Sequence, residues 1–456
     1  MAKPNILFLM CDDRRHDTIA ALGNDGIRTP HTDWLVENGT AFTHAFNPGG
    51  MSSAVCMPSR AMMHTGRHLF HISGAGEAIP TDHTLLGEAL QAAGYDTHGI
   101  GKWHNGKESF NRSFGSGAEI FFGGMADHWN VPLFDCDPSG RYDKQLPVID
   151  DPLSSNTVRL RQCDHIYAGH HSTDIIGDAA VRYLSERNAD EPYLLYVSFL
   201  APHDPRSTHA EYQDMYPSQE IMLPPNCVSE HPFDNGDLDV RDELLADRPR
   251  RPEEIRKHVA EYYAMITHMD AQFGRIIDAV RCRGDLDNTI FVHCADHGLA
   301  VGQHGLMGKQ NLYDHSVRVP LIFSGAGVPK GNRVDEMVML MDVFPTLCDL
   351  AGVETPGSVE GQSVLPAMNG GGGRDKLFFA YLDVQRGIRT EKWKLIEYFK
   401  DGQHSRTQLF NVAAAPWEMR DLSGEESCAG TVSSLRAEMA VMGIALGDPL
   451  FGRLLQ

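Results

Sequence analysis

The chain has 456 residues, 42% of them hydrophobic and 22% charged, enough for one large buried core with room for a smaller domain beside it. A formal net charge of −21, from 40 basic and 61 acidic residues, excludes the basic footprint of a nucleic-acid-binding protein. The nine cysteines are scattered without C-x-x-C spacing, so neither a disulfide framework nor a structural zinc site is expected, and most should be small buried residues.

The first apolar run begins at Asn5 and reads as a strand over residues 5–10. It is too short to span a bilayer, and no small-residue cleavage site follows it. The expectation is therefore no membrane segment and a cytoplasmic location, or a periplasmic or secreted one if a signal segment precedes the sequence as given. Residues 85–93 read as a helix ending at Gly94, and 97–100 as a strand. A helix over 173–187 and a strand over 193–200 follow, then a long helix over 253–281 and a strand over 289–294. A strand at 320–323 and a helix at 342–351 complete an alternation that predicts an α/β sandwich. No internal repeat interrupts it.

Two stretches, residues 105–171 and 204–252, are rich in Pro, Gly, Asp and His and read as long irregular loops of the functional kind. Gly370 to Gly373 form a flexible joint. Beyond it, strands at 377–381, 393–397 and 408–411 and a helix near 431–442 predict a small subdomain of antiparallel sheet plus helix. The predicted division is 1–369 and 370–456.

Polar residues stand directly after several predicted strands: Asp12, Asp13, Lys102, His203 and Asp296. Open α/β sheets bind ligands at the carboxyl ends of their strands, so these distant segments should converge on one cleft. Adjacent carboxylates at Asp12 and Asp13 repel each other unless a cation neutralises them. With Asp296-His297-Gly298 at another strand end they suggest a divalent metal, a hard cation such as calcium or magnesium. The nitrogen of His297 leaves manganese open.

His64, His68 and His71 follow Cys56 at near-helical spacing and read as a helix flank rather than a second metal site. His128-Trp129 reads as loop packing, with stacking on a sugar ring as the alternative, and His170-His171 as structural. P-loop, G-x-S-x-G, H-E-x-x-H and Rossmann patterns are absent.

Cys56-Met57-Pro58-Ser59-Arg60 followed by Thr65-Gly66-Arg67 resembles the signature of the type I, formylglycine-dependent sulfatases of the alkaline phosphatase superfamily. Gly101-Lys102-Trp103-His104, Ala201-Pro202-His203, Asp296-His297-Gly298 with Gly302 to Leu306 and Gly308-Lys309, and Ser316 to Pro320 are similar to that family's further motifs, in the same order. The tail, Gln408 to Asn411, Pro416-Trp417-Glu418 and Asp421-Leu422, resembles its C-terminal subdomain. The resemblance covers essentially the whole chain and is weakest in the two long loops.

It implies a large α/β/α sandwich around a mixed, mostly parallel sheet of alkaline phosphatase type, and the activity of a bacterial carbohydrate sulfatase. It implies that Cys56 becomes 3-oxoalanine (formylglycine) through a formylglycine-generating or anaerobic sulfatase-maturating enzyme. The hydrated aldehyde attacks the ester with one hydroxyl, and the other later expels sulfate. Asp12, Asp13, Asp296, His297 and the modified Cys56 would hold Ca2+, with Mg2+ or Mn2+ as alternatives, because the family often has Asn where His297 stands. Arg60 would stabilise the alkoxide, and Lys102 and Lys309 would bind sulfate. His203, with Lys309, would protonate the leaving alcohol, and His104 would take the proton from the remaining hydroxyl. The expected partner is a sulfated saccharide, small or terminal rather than a long polyanion given the −21 charge, with no nucleic acid and no membrane. A phosphonate monoester or phosphodiester hydrolase with the same nucleophile is the alternative enzyme, and a non-catalytic binder of sulfated glycans the alternative of another class.

Overall fold

The computed structural model describes residues 3–149, 153, 155–188 and 190–454. Its central strand, Asn5–Cys11, is apolar along its whole length because both of its faces are covered. Ile6, Phe8 and Met10 enter the core on one side of the sheet, and Leu7, Leu9 and Cys11 the core on the other. The strand pairs in parallel with Thr289–Ala295 on one side and Tyr193–Ser198 on the other. Asp96–Trp103 and then Ser116–Phe122 continue the parallel sheet outward from Tyr193–Ser198. Beyond Thr289–Ala295, Arg318–Gly325 is antiparallel both to it and to Gly39–Phe46. Asn332–Val334 and Val338–Met339 lie parallel to Gly39–Phe46. The sheet is mixed and mostly parallel, as expected.

Helices Ser172–Glu186 and Pro252–Arg283 cover one face, packing Ile176 and Ala180 with Met269, Phe273 and Ile276. Helices Leu86–Ala92 and Val343–Ala351 cover the other with Leu90, Phe344 and Leu347. The result is an α/β/α sandwich. Its functional consequence is directional. Thr289–Ala295, Asn5–Cys11, Tyr193–Ser198 and Asp96–Trp103 are neighbours running the same way, so their carboxyl ends share one edge.

A second sheet has the order Gln403–Asn411, Trp393–Lys400, Gln385–Thr390, Lys376–Tyr381 and Gly49–Gly50. The first four are antiparallel, and helix Ala429–Ala445 packs Val432, Leu435 and Met439 against Phe378, Ile388 and Leu395. The fifth strand comes from just ahead of Cys56 and pairs in parallel with Ala380 and Tyr381. Gly49 has φ 102°, and a Cβ there would run into the Ala380 carbonyl oxygen, so glycine is required for this close approach.

Residues 105–171 are more ordered than the sequence suggests. They contain helix Lys107–Ser113, edge strand Ser116–Phe122 and a hairpin of Gln145–Ile149 with Val158–Gln162. The edge strand is only partly buried and the hairpin stands out from the sheet, so neither shows a strong apolar period; residues 150–152 and 154 lie outside the described ones. Residues 204–252 are largely irregular, as expected, with short helical turns at Ala210–Gln213, Ser218–Glu220 and Arg241–Leu245. Among the described residues no helix is long and apolar enough to cross a membrane.

Candidate active site

The shared edge gathers three carboxylates in a space without water access. Asp12 and Asp13 leave strand Asn5–Cys11, and Asp296 leaves its parallel neighbour; all three are fully buried. Asp13 has φ 64°, a left-handed conformation uncommon for a residue with a side chain. Tyr262, from the long helix, fixes that turn by donating its hydroxyl to the Asp13 carbonyl while accepting from the Arg15 amide at 2.8 Å. Ser59 Oγ and Asn47 Nδ2 hold the Asp296 carbonyl at 2.6 and 3.0 Å.

Three buried cations answer these charges. Arg60 sends Nε to Asp296 Oδ2 at 2.8 Å and Nη2 to Asp12 Oδ2 at 3.2 Å, and Nη1 donates to Ser198 Oγ at 2.8 Å. Lys102 pairs with Asp12 and donates to the Gly124 carbonyl. Lys309 Nζ stands 2.6 Å from Asp13 Oδ1 and 4.0 Å from Asp242 Oδ2. Burial opposes the ammonium charge of Lys309, but Asp13 and Asp242 outweigh it and hold the group well above its ordinary range. Burial likewise works against ionised Asp12, and Lys102 and Arg60 hold that carboxyl well below the usual carboxylate range.

Cys56 opens helix Cys56–Thr65, and its Sγ lies 3.2 Å from His104 Nδ1 and 3.9 Å from Lys102 Nζ. Burial would raise its thiol, and Asp12 adds to that, yet Lys102 and the His104 contact bring it well below the ordinary range. Cys11, in the core, is the opposite case: burial pushes it up to about 12. His203 follows strand Tyr193–Ser198 after a cis Ala201-Pro202 bond, with Nδ1 2.8 Å from the Asp204 carbonyl and Nε2 3.8 Å from Asp13 Oδ2. His297 Nε2 lies 3.3 Å from Asp13 Oδ1; burial disfavours its charge, but Asp296 and Asp13 push it up to about 9. A cavity of ≈ 200 Å³ opens over Cys56, lined also by His104, Gly124, His203, Arg241, Asp242, Lys309 and Gln310.

All ten sequence-predicted residues therefore come together, from Asp12, Asp13, Cys56 and Arg60 through Lys102, His104 and His203 to Asp296, His297 and Lys309. Lys102 lies inside its strand, one residue from its end, rather than after it. Asp242, Gln310, Ser198 and Tyr262 were not anticipated: Gln310 adjoins the Gly308-Lys309 motif without belonging to it, and the others are brought in by tertiary packing. His64 and His68 are buried, and neither joins a metal-competent group among the described residues. Trp129 donates Nε1 to Ser207 Oγ at 3.1 Å and packs edge-on against His171 and His209, outside the residues lining the cavity. His171 caps helix Ser172–Glu186 through the Thr173 amide, a structural role as expected.

The donor set fits a divalent cation. Ligand-type atoms of Asp12, Cys56, Asp296 and His297 lie within 4.8 Å of one another, and those of Asp12, Asp13 and His203 form an overlapping group. Asp12 Oδ1, Asp13 Oδ2 and His297 Nε2 are buried without a hydrogen-bond partner, a costly state that a bound cation would relieve.

The family model described as Sulfatase matches residues 4–353, and one described as N-sulphoglucosamine sulphohydrolase, C-terminal, matches 302–443. An N-acetylglucosamine-6-O-sulfatase of Bacteroides thetaiotaomicron is 25% identical, covering 93% of this chain and 83% of its own length. An arylsulfatase of Clostridium perfringens is 27% identical, with 95% and 93% covered. A structure described as bound to its substrate D-glucosamine-2-N,6-O-disulfate shares the fold, with TM-score 0.78, 22% identity and 98% and 99% of the two chains covered. The family generally works with formylglycine and a divalent metal. This chain belongs to the sulfatase family and is a sulfuric ester hydrolase.

Proposed function

We propose that the enzyme removes sulfate from a sulfated saccharide, with residue 56 as formylglycine and Ca2+ held by Asp12, Asp13, Asp296, His297 and residue 56. The observation carrying this is the position of Cys56 Sγ, on the cavity floor against His104 and Lys102 with the carboxylate cluster behind it. Sγ stands where the formylglycine oxygens would be. Formylglycine supplies a geminal diol, one hydroxyl for attack at sulfur and a second to release sulfate, and the cation supplies Lewis acidity beside them.

The chain's own groups supply the rest. Arg60, immobilised by Asp12, Asp296 and Ser198, places a fixed positive charge under residue 56. Lys102 and Lys309 neutralise Asp12 and Asp13, and would be free to bind sulfate oxygens where a cation neutralises those carboxylates instead. His104 is within reach to take a proton from residue 56. With Nδ1 on the Asp204 carbonyl, His203 leaves Nε2 to give a proton to the departing alcohol, assisted by Lys309. An ester filling the cavity would displace water from over these groups, most of which are already buried. The saccharide assignment is supported by the glycan sulfatases among the relatives. Residues 1–369 form the catalytic part in this proposal and 370–456 the C-terminal part, and a formylglycine-generating or anaerobic maturating enzyme is the partner.

The test pairs the mass of the peptide containing Cys56 with turnover of sulfated saccharides, 4-nitrophenyl sulfate and a phosphonate monoester. Conversion of Cys56 together with sulfate release supports the proposal. Retained thiol in active protein, or much faster phosphonate cleavage, overturns it.

A further inference from the structure

The chemistry above uses the floor of the cavity and leaves its rim unexplained. That rim comes from residues 204–252. Turn Arg241–Leu245 is pinned by Glu243, which accepts from the Met307 and Gly308 amides at 3.0 and 2.8 Å and pairs with Arg250 at 2.6 Å. The pin fixes Arg241 and Asp242 at the mouth. Asp242 Oδ2 accepts from Gln310 Nε2 at 2.9 Å, and Gln310 also donates to the Ser53 carbonyl at 3.0 Å.

Charge decides what such a rim can read. The lining has two permanently charged cations, Lys309 and Arg241. Lys309 is committed to Asp13 and the sulfate floor. Arg241, whose side chain is 51% exposed, pairs with Asp242 and lies 3.7 Å from Asp204 Oδ1. Two carboxylates thus face one guanidinium, and among the described lining residues no cation is left over for a second anion. Asp204 Oδ1 is buried without a hydrogen-bond partner, 3.3 Å from His203 Nδ1, and Arg241 keeps exposed donor capacity. An acceptor and a donor side by side with no spare positive charge suit vicinal hydroxyls, whereas a sulfate or carboxylate on the same ring would meet Asp242, with the charge of Asp204, buried beside Arg241, adding to the repulsion.

We infer that Arg241 and Asp242 at the mouth, with Asp204 buried beside Arg241, form a saccharide-reading subsite that takes an uncharged, hydroxyl-bearing ring carrying the single scissile sulfate and rejects a ring bearing a further anionic group. This rests on the saccharide sulfatase reading and narrows it.

The experiment uses the mature enzyme on matched monosaccharide sulfates that differ only by one added sulfate or carboxylate, with 4-nitrophenyl sulfate beside them. The singly charged partner should have a kcat/KM about tenfold or more higher. Arg241→Ala should lose about fivefold more on that saccharide than on 4-nitrophenyl sulfate, and Asp204→Asn should narrow the preference against the doubly charged ring. Turnover of 4-nitrophenyl sulfate with equal or better use of doubly charged rings, or a preference that Asp204→Asn leaves intact, overturns the subsite alone. Converted enzyme that hydrolyses 4-nitrophenyl sulfate but no sugar sulfate overturns the saccharide reading and the subsite with it.

Discussion

Lys309 Nζ is 2.6 Å from Asp13 Oδ1, a buried ion pair across 296 residues of sequence, while Asp13 Oδ2 is left without a hydrogen-bond partner. The lysine thereby keeps the cluster electrically tolerable without metal, since an uncompensated buried carboxylate costs several kcal/mol. Lys309→Met should therefore lower the thermal midpoint of chelator-treated protein more than that of calcium-loaded protein. Calcium in 100-fold excess over its Kd should stabilise the wild type by about 2.7 kcal/mol, and the variant by more at the same calcium concentration, because loss of the competing lysine lowers its Kd. Scanning calorimetry with and without calcium checks this, and equal losses in both states would remove the lysine from the metal site.

Arg60 presents a planar fork to Asp296, Asp12 and Ser198 at once, a geometry that an ammonium cannot copy. Arg60→Ala takes the arginine from Asp296 and leaves Asp12 with Lys102 alone, and should cost about 3–5 kcal/mol in urea unfolding. Arg60→Lys should recover part of that stability while turnover stays about 100-fold down. Full activity in the lysine variant would mean that charge alone suffices.

In the proposed mechanism His104 and His203 act in different steps. His104 touches residue 56, whereas His203 faces outward from the Asp204 carbonyl. His104→Asn should release about one equivalent of alcohol quickly and then stall, with sulfate release about 100-fold or more slower. His203→Asn should slow the first alcohol release itself, and less so for aryl sulfates, whose leaving groups need little protonation. Rapid-quench measurement of both products separates the two cases.

Burial pulls four histidines outside the catalytic cluster down from 6.5: His64 and His171 to about 3, His128 and His304 to about 4. Each folded value lies below the unfolded one, so the unfolded chain binds the extra proton. Their contribution to stability is complete above about pH 6.5 and falls as the pH drops toward 4, by about 1.4 kcal/mol per pH unit for each group within its window. Urea midpoints should be level above pH 7 and decline steeply between pH 6.5 and 4. A level midpoint across that interval would show these rings already charged in the fold.

What the sequence revealed follows from where each residue sits. Asp12, Asp13 and Asp296 were legible because strands buried on both faces are largely apolar, with His293 the one interruption inside the second, and carboxylates directly after such runs mark the sheet edge. The Cys56 pentapeptide was legible as a motif, but the helix it opens was not, since Pro58 and Ser59 give little helical period. Strand Gly39–Phe46 escaped because its threonines and His44 interrupt the apolar run. Asp242 had no local mark of any kind. Its closeness to Lys309 comes from Glu243 clasping the loop ahead of that lysine, a contact across 64 residues and more.

The strand Gly49–Gly50 ties the beginning of the chain to its end, because its one neighbouring strand among the described residues is Lys376–Tyr381. During synthesis, residues 51–56 wait for some 330 later residues before that neighbour exists. Until then the stretch leading into Cys56 is without its sheet pairing. A chain that stops short of Lys376 lacks the strand on which the segment just ahead of its own nucleophile is seated.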